Sequence, residues 1–152
     1  MYLAGPMEGL SEEQMKGWRL YVRKAIAARN RYYGEAQGFV EKITVLDPTD
    51  RESYREQFLK DPTNVGHRIF RQDLQDIDSS RVVVINLLQM RELDLRCWGS
   101  ICEMIYAFVK HVPVIMILPD QAAADHPFVI GCATEVHFSL EAGTKAAMSY
   151  YR

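Results

Sequence analysis

Apolar residues along this chain fall into two alternating patterns, short continuous runs and longer stretches with helical spacing. Val82-Val83-Val84-Ile85-Asn86-Leu87 and Val112 to Leu118 are continuous and rich in β-branched residues. Such runs belong to strands buried on both faces, as in a parallel sheet. Tyr2 to Ala4 and Ile43 to Leu46 are shorter runs, stopped by Gly5-Pro6 and Asp47-Pro48, and read as two more strands. Phe128 to Phe138 holds one or two further short strands. Between the runs the period changes to that of a helix. Ser11 with Gln14 forms a capping-box pattern opening a helix to about Arg29, with Trp18, Tyr21, Val22, Ala25 and Ile26 toward the core. Val65 to Ser79, Gly99 to Lys110 and Leu140 to Tyr150 are the other predicted helices. The charged segment Thr49 to Asn64 reads as a flap or short helix.

Strand and helix in alternation, with parallel strands, predict a single α/β domain over residues 1–152. The expected architecture is Rossmann-like or flavodoxin-like, a parallel sheet of about five strands flanked by helices. Ligands of such sheets bind beyond the carboxyl ends of the strands, where strand order reverses. That rule selects Gly5-Pro6-Met7-Glu8, the loop after Leu46, and the stretch from Asn86 to Glu103.

Composition narrows the function classes. The 152 residues carry a formal charge of −2, which gives no electrostatic reason to expect a nucleic-acid polymer or membrane as partner. Arg19, Arg23, Lys24, Arg29 and Arg31 are the densest basic group, and read as the solvated face of a helix. No apolar run reaches membrane-spanning length, and the N-terminal stretch shows neither a charged n-region nor a long apolar h-region. Cys97, Cys102 and Cys132 fit no zinc template, and Cys102 reads as packed. A reduced, cytoplasmic protein is the simplest expectation. No G-x-G-x-x-G, Walker lysine, H-E-x-x-H or G-x-S-x-G pattern is present, so no cofactor or metal is expected.

The candidate chemistry is acidic. Glu103 follows the apolar strand and a polar loop, and with its helix starting near Gly99-Ser100 it falls in the first turn. There the helix dipole favours its anion, the form a carboxylate nucleophile needs. Ser100-x-x-Glu103 equally fits a capping box, and the pattern supports both readings. Asp73 lies about one turn before Ile77 on the same side of its helix, placed to point across the sheet, whereas Asp76 reads as solvated. A bare backbone at Gly5 would permit close approach of a ligand. Trp98 suits either stacking on a base or burial in the core.

Taken in order, Tyr2-Leu3-Ala4-Gly5-Pro6-Met7, Asp73-x-x-x-Ile77, Val83-Val84-Ile85-Asn86-Leu87 and Gly99-Ser100-x-x-Glu103-x-x-x-Ala107 resemble the nucleoside 2-deoxyribosyltransferase family over most of the chain. The resemblance implies transfer of a 2-deoxyribosyl group between nucleobases in nucleoside salvage, without cofactor or metal. It implies Glu103 as the nucleophile that forms a covalent deoxyribosyl-enzyme, and Asp73 as the group assisting proton transfer at the base. Tyr2, Ala4, Gly5, Met7, Asn86, Trp98, Gly99 and Ser100 are the implied substrate-binding positions. The partners implied are small-molecule nucleosides and nucleobases, and a homo-oligomer in which Tyr151 or Tyr150 of a neighbouring copy completes a shared site. Two displacements give retention of configuration at the sugar, as in retaining glycosidases.

Departures from the family pattern define the alternatives. Arg81, with Asp78 shortly before it, stands where an acid usually precedes the central strand, and Arg96-Cys97-Trp98 precedes the nucleophile, with Asp94 further back. A related branch hydrolyses deoxynucleoside 5′-monophosphates and carries an Arg- and Gly-rich phosphate loop after the first strand. Here Glu8 in that loop would repel a phosphate, which favours unphosphorylated nucleosides. N-glycosidic hydrolysis of nucleosides or monophosphates is therefore the alternative activity, and a non-catalytic nucleotide-binding module the third. The loop Gln89 to Cys97 has the length and charge of a lid.

Overall fold

The structure is a computed structural model that describes every residue except 8, 37–39, 52–56, 58, 59, 92, 94–96 and 152. Four strands, β1 (Tyr2–Ala4), β2 (Val83–Asn86), β3 (Val114–Ile117) and β4 (Glu135–His137), form one all-parallel sheet in the order β1-β2-β3-β4. The register sets Tyr2 beside Val83, Val84 beside Ile115 and Met116 beside Val136. Helices with fully described bounds are α1 (Glu12–Ala36), α2 (Pro62–Asp78), α3 (Trp98–Val109), α4 (Gln121–Ala124), α5 (Pro127–Cys132) and α6 (Leu140–Met148).

Alternation along each strand divides the core into two layers. Tyr2, Ala4, Val83, Ile85, Val114 and Met116 meet Ile77 of α2 and Met104 and Ala107 of α3. Leu3, Val84, Ile115 and Ile117 point the other way, toward Val22 and Ile26 of α1 and Ala147 of α6. This is the α/β arrangement expected from the continuous apolar runs. Among the described residues no helix is long and apolar enough to cross a membrane.

Among the described residues the sheet has four strands, slightly fewer than the about five expected. Ile43 to Leu46, expected as a strand, makes only an isolated parallel bridge from Leu46 to Tyr2, through Leu46 N–H to Met1 O at 2.8 Å and Leu3 N–H to Leu46 O at 3.0 Å. Asp47-Pro48 ends the segment at once, and a three-residue β1 offers little edge to pair with. Ile43 is held instead by a side chain, accepting from Asn30 Nδ2 at 2.9 Å and donating to Asn30 Oδ1 at 3.0 Å. The bridge still settles topology. Leu46 lies on one side of β1 and β2 on the other, so the order of connections reverses at β1, and the crevice between the carboxyl ends of β1 and β2 is where sheets of this kind bind ligands.

Other elements differ locally. The Ser11–Gln14 capping box forms, with Ser11 N–H to Gln14 Oε1 at 2.9 Å and Gln14 N–H to Ser11 Oγ at 3.2 Å. Helix α1 then runs past Arg29 to Ala36, because no proline follows and Gly34 alone does not stop a helix. Its buried stripe is Met15, Arg19, Val22 and Ile26, with Trp18 and Ala25 half-buried and Tyr21 exposed. The basic residues of α1 are thus not a uniformly solvated face: Arg19 is only 1 % exposed. Phe128 to Cys132 is helical, not strand, because Pro127 occupies the first helical turn and His126 Nδ1 accepts from Phe128 N–H at 3.4 Å. Only Glu135–His137 of that stretch pairs in the sheet. Much of the expected flap Thr49 to Asn64 lies outside the described residues, as do Glu8, Asp94 and Arg96.

Candidate active site

Alternation in β1 turns Tyr2 to the α2/α3 side of the sheet, and three elements converge on it there. On α3 the inward positions are Ser100, Glu103, Met104 and Ala107, with Ser100, Met104 and Ala107 buried and Glu103 keeping a partial opening to solvent. The Tyr2 hydroxyl donates to Glu103 Oε1 at 2.5 Å. Asp73 stands on α2 one turn before the buried Ile77. Its Oδ1 accepts from Arg51 Nη1 at 2.8 Å, and the other amino group of Arg51 pairs with Asp76. Arg51 ends the 3-10 turn Pro48–Asp50, whose start is capped by Asp47 Oδ1 accepting from Thr49 N–H at 2.9 Å.

A second cation braces the first loop from the other side of the sheet. Arg19 curls back to donate to Met15 O at 2.6 Å and reaches Gly5 O at 3.3 Å. Its Nε lies 3.2 Å from Asp47 Oδ1, an ion-pair contact off the line of a hydrogen bond, and its guanidinium sits 4.4 Å over the Trp18 ring. A Cβ at Gly5 would lie 3.1 Å from both Asn86 O and Trp18 Cζ2, so the missing side chain makes room for protein at the crevice between β1 and β2.

Burial raises both carboxyls. Burial pushes Glu103 up from the usual carboxylate range to about 7; the Tyr2 hydrogen bond opposes this, Asp73 adds to it, and the charges of Arg19 and Arg51 hold it down. Asp73 is also raised by burial, against the hydrogen bonds of Arg51 and Tyr2. The Tyr2 hydroxyl is pushed far above its ordinary value by burial and by the two carboxylates, so it stays protonated and donates. A carboxyl that titrates near neutrality with a fixed donor on one oxygen fits a reacting group better than a structural ion pair.

Glu103 does not sit in the first turn. Cys97 is the N-cap, without a side-chain cap bond, and the helix begins at Trp98, which makes Glu103 its sixth residue. The capping-box reading with Ser100 fails for the same reason, and the helix dipole gives way to Tyr2 and Arg19 as the support of the anion. The sequence-derived residues scatter around this centre. Tyr2 and Ala4 are fully buried in the core, so Tyr2 acts on Glu103 from beneath. Gly5 and Asn86 lie at the carboxyl ends of β1 and β2, where Asn86 Oδ1 accepts from Leu88 N–H at 3.2 Å. Met7 and Gly99 are exposed, and Ser100 is buried. Trp98 is 72 % exposed, which removes the core-tryptophan reading.

Tyr151 is not brought to Glu103 of its own chain. It is buried on the opposite face of the sheet, with Arg29 donating to its carbonyl at 2.6 Å. Tyr150 donates to Glu135 Oε1 at 3.0 Å. Asp78 accepts from the Tyr106 hydroxyl at 3.0 Å and pairs with Lys110 at 3.3 Å, away from the Tyr2–Glu103 contact. A surface cleft of about 450 Å³ is lined by Arg19, Arg23, Asp47 and Thr49 among others, and none of Tyr2, Asp73 or Glu103 lines it.

Two residues of the site escaped sequence reasoning. Arg51 lies in the loop after Leu46 that topology selected, but nothing in its neighbourhood distinguishes it from the other charges there. Arg19 had a usable signal, since it falls in phase with Met15, Val22 and Ile26. No protein-family model matches the chain, and no curated protein matches it.

Proposed function

We propose that this chain is an enzyme that transfers a 2-deoxyribosyl group between nucleobases through a covalent ester on Glu103, in cytoplasmic nucleoside salvage. The observation that carries the reading is the partly open Glu103 carboxyl at about 7, held by the buried Tyr2 hydroxyl at 2.5 Å and accompanied by Asp73 from the neighbouring helix.

In the first displacement the Glu103 carboxylate attacks the anomeric carbon as the C–N bond breaks and the base leaves with the electron pair. A proton from the Asp73 carboxyl goes to the departing base nitrogen, neutralising its charge. The sugar passes through an oxocarbenium-like state that the Glu103 anion stabilises and then traps. In the second, a ring nitrogen of the incoming base attacks the same carbon, Glu103 leaves, and Asp73 recovers a proton. Tyr2 fixes one oxygen of Glu103 so that the other is presented to the sugar. Asn86, Trp98 and the loop at Gly5 to Met7 are the candidates for contact with base and sugar, and assembly into a homo-oligomer belongs to the same reading.

Deoxyadenosine or thymidine incubated with and without a second free base tests the proposal. A new nucleoside that forms only with the acceptor supports transfer. Base release indifferent to the acceptor supports hydrolysis, with water taking the place of the second base. Binding of nucleosides or monophosphates without product leaves a nucleotide-binding module.

A further inference from the structure

Helix α1 lays a mixed stripe along the turn that follows Leu46. Lys16, Leu20 and Arg23 stand at positions i, i+4 and i+7, so one side of the helix carries all three. Asp47, Thr49 and Asp50 of the 3-10 turn face them, and the two rows line the cleft of about 450 Å³. That volume is in the range of pockets that hold a small organic molecule. None of Tyr2, Asp73 or Glu103 lines it, so it lies apart from the candidate active site.

The charges of the cleft do not cancel. Among its described lining residues Lys16, Arg19 and Arg23 meet two carboxylates, Asp47 and Asp50. Asp47 is fully engaged: its side chain is 2 % exposed, and it accepts from the backbone and hydroxyl of Thr49 and from Arg23 Nε and Nη2. Arg19 Nε, buried against the same carboxylate, is left without a hydrogen bond, so donors outnumber acceptors on this wall. Asp50 differs. Its side chain is 61 % exposed, yet its carboxylate reaches to 2.5 Å from Arg23 Nη2. A surface pair of that kind contributes little, and a stronger anion displaces it. Lys16 pairs with Glu12 one turn earlier, at 2.9 Å and within reach of water, a contact as easily exchanged.

We infer that this cleft binds a small organic phosphate monoester, whose phosphate takes the place of the Asp50 carboxylate between Arg23 and Lys16, and that filling it shifts the Arg51–Asp73 pair. The two cations start about 10 Å apart along the helix axis, a gap that two long side chains close from either end onto one phosphate. A dianion with three outer oxygens accepts from both at once. Leu20, half exposed on the same wall, offers apolar surface to the organic part, so an ester is held better than free phosphate. Asp50 is joined directly to Arg51, whose Nη1 donates to Asp73 Oδ1 at 2.8 Å. Drawing Asp50 away from Arg23 therefore moves the residue that holds Asp73. The inference rests on the cleft alone and holds whether or not Glu103 is a nucleophile.

Isothermal titration calorimetry of the 152-residue chain with phenyl phosphate and with inorganic phosphate, at low salt and about pH 8, where a phosphate monoester carries close to two charges, tests it. Phenyl phosphate should saturate with a dissociation constant of about a millimolar or tighter, and inorganic phosphate should bind more weakly. Arg23→Gln should weaken phenyl phosphate at least about tenfold. Lys16→Gln and Asp50→Asn alter side chains in contact with solvent and should keep the wild-type circular dichroism. The first should bind several-fold more weakly. The second should bind about two- to fivefold more tightly, because the internal competitor is gone, a gain that a merely structural Asp50 would not give. Glu103→Gln should bind phenyl phosphate as wild type does, which separates this cleft from the Glu103 carboxyl. The carboxyl-carbon resonance of Asp73 should move as phenyl phosphate saturates. Absence of saturation overturns the inference, and so does an affinity indifferent to both Lys16→Gln and Asp50→Asn. Saturation that leaves the Asp73 resonance in place overturns the link to Arg51 and Asp73.

Discussion

The Tyr2 hydroxyl lies 2.5 Å from Glu103 Oε1, across 101 residues of sequence. It joins the first strand to the helix that follows the second, on the face where Asp73 also arrives. A hydrogen bond to a charged acceptor is worth about 1.5–3 kcal/mol, and here it favours the Glu103 anion. Tyr2→Phe should therefore raise the Glu103 carboxyl above about 7. The acid limb of the kcat/KM profile should move to higher pH, with the rate at pH 6 reduced roughly tenfold or more. A pH–rate profile indistinguishable from wild type would show that Tyr2 does not support the anion.

Stability carries the same signature with a definite sign. Glu103 titrates higher folded than unfolded, about 7 against the ordinary 4.5. Its contribution is fully present below about pH 4.5 and is lost as pH rises through 7, because the folded state must then hold a buried charge. Glu103→Gln removes that charge and should stabilise the protein above pH 8, by at most about 3 kcal/mol. Below pH 4.5, where both side chains are neutral, the difference should vanish. Urea denaturation at the two pH values measures it.

Arg51 is the counterweight on Asp73, which burial raises and the guanidinium lowers. Arg51→Gln should move the Asp73 carboxyl to higher pH, and Arg51→Lys should restore part of the shift, since a single ammonium cannot reproduce the two-pronged contact with Asp73 and Asp76. Carboxyl-carbon NMR titration reads this without any assay of activity. An Asp73 titration unchanged in Arg51→Gln would remove Arg51 from the site.

Away from the site, Gly143 is where α6 meets the sheet. A Cβ there would lie 2.5 Å from Ile117 Cγ1 and 2.6 Å from Cδ1, and Ile117 is fully buried and has no room to turn. Gly143→Ala should destabilise by about 2 kcal/mol, overpacking outweighing the gain in helix propensity. A shift of the urea midpoint to lower concentration checks the sign.

These relationships show what the chain discloses on its own. The runs Val82 to Leu87 and Val112 to Leu118 are legible because a strand buried on both faces must be apolar throughout. The Ser11–Gln14 box is legible because both halves of the contact are local. Leu46, by contrast, finds no more than one bridge because β1 is short, a property of another part of the chain. The turn of α3 that carries Glu103 depends on a helix start at Trp98 that no capping side chain marks. Arg51 is set by Asp73, 22 residues away, so local pattern shows its charge and not its bonding, whereas the phase of Arg19 with Met15, Val22 and Ile26 shows its burial but not its ion pair with Asp47, 28 residues away.

The central claim is that Glu103 bonds to the sugar. Mass spectrometry of the protein quenched in acid during turnover of a 2-deoxynucleoside tests it most directly. The account predicts a peptide containing Glu103 heavier by one deoxyribosyl group, reversed by adding a free base and missing from Glu103→Gln. Full turnover by Glu103→Gln, or an adduct on any other residue, would contradict it.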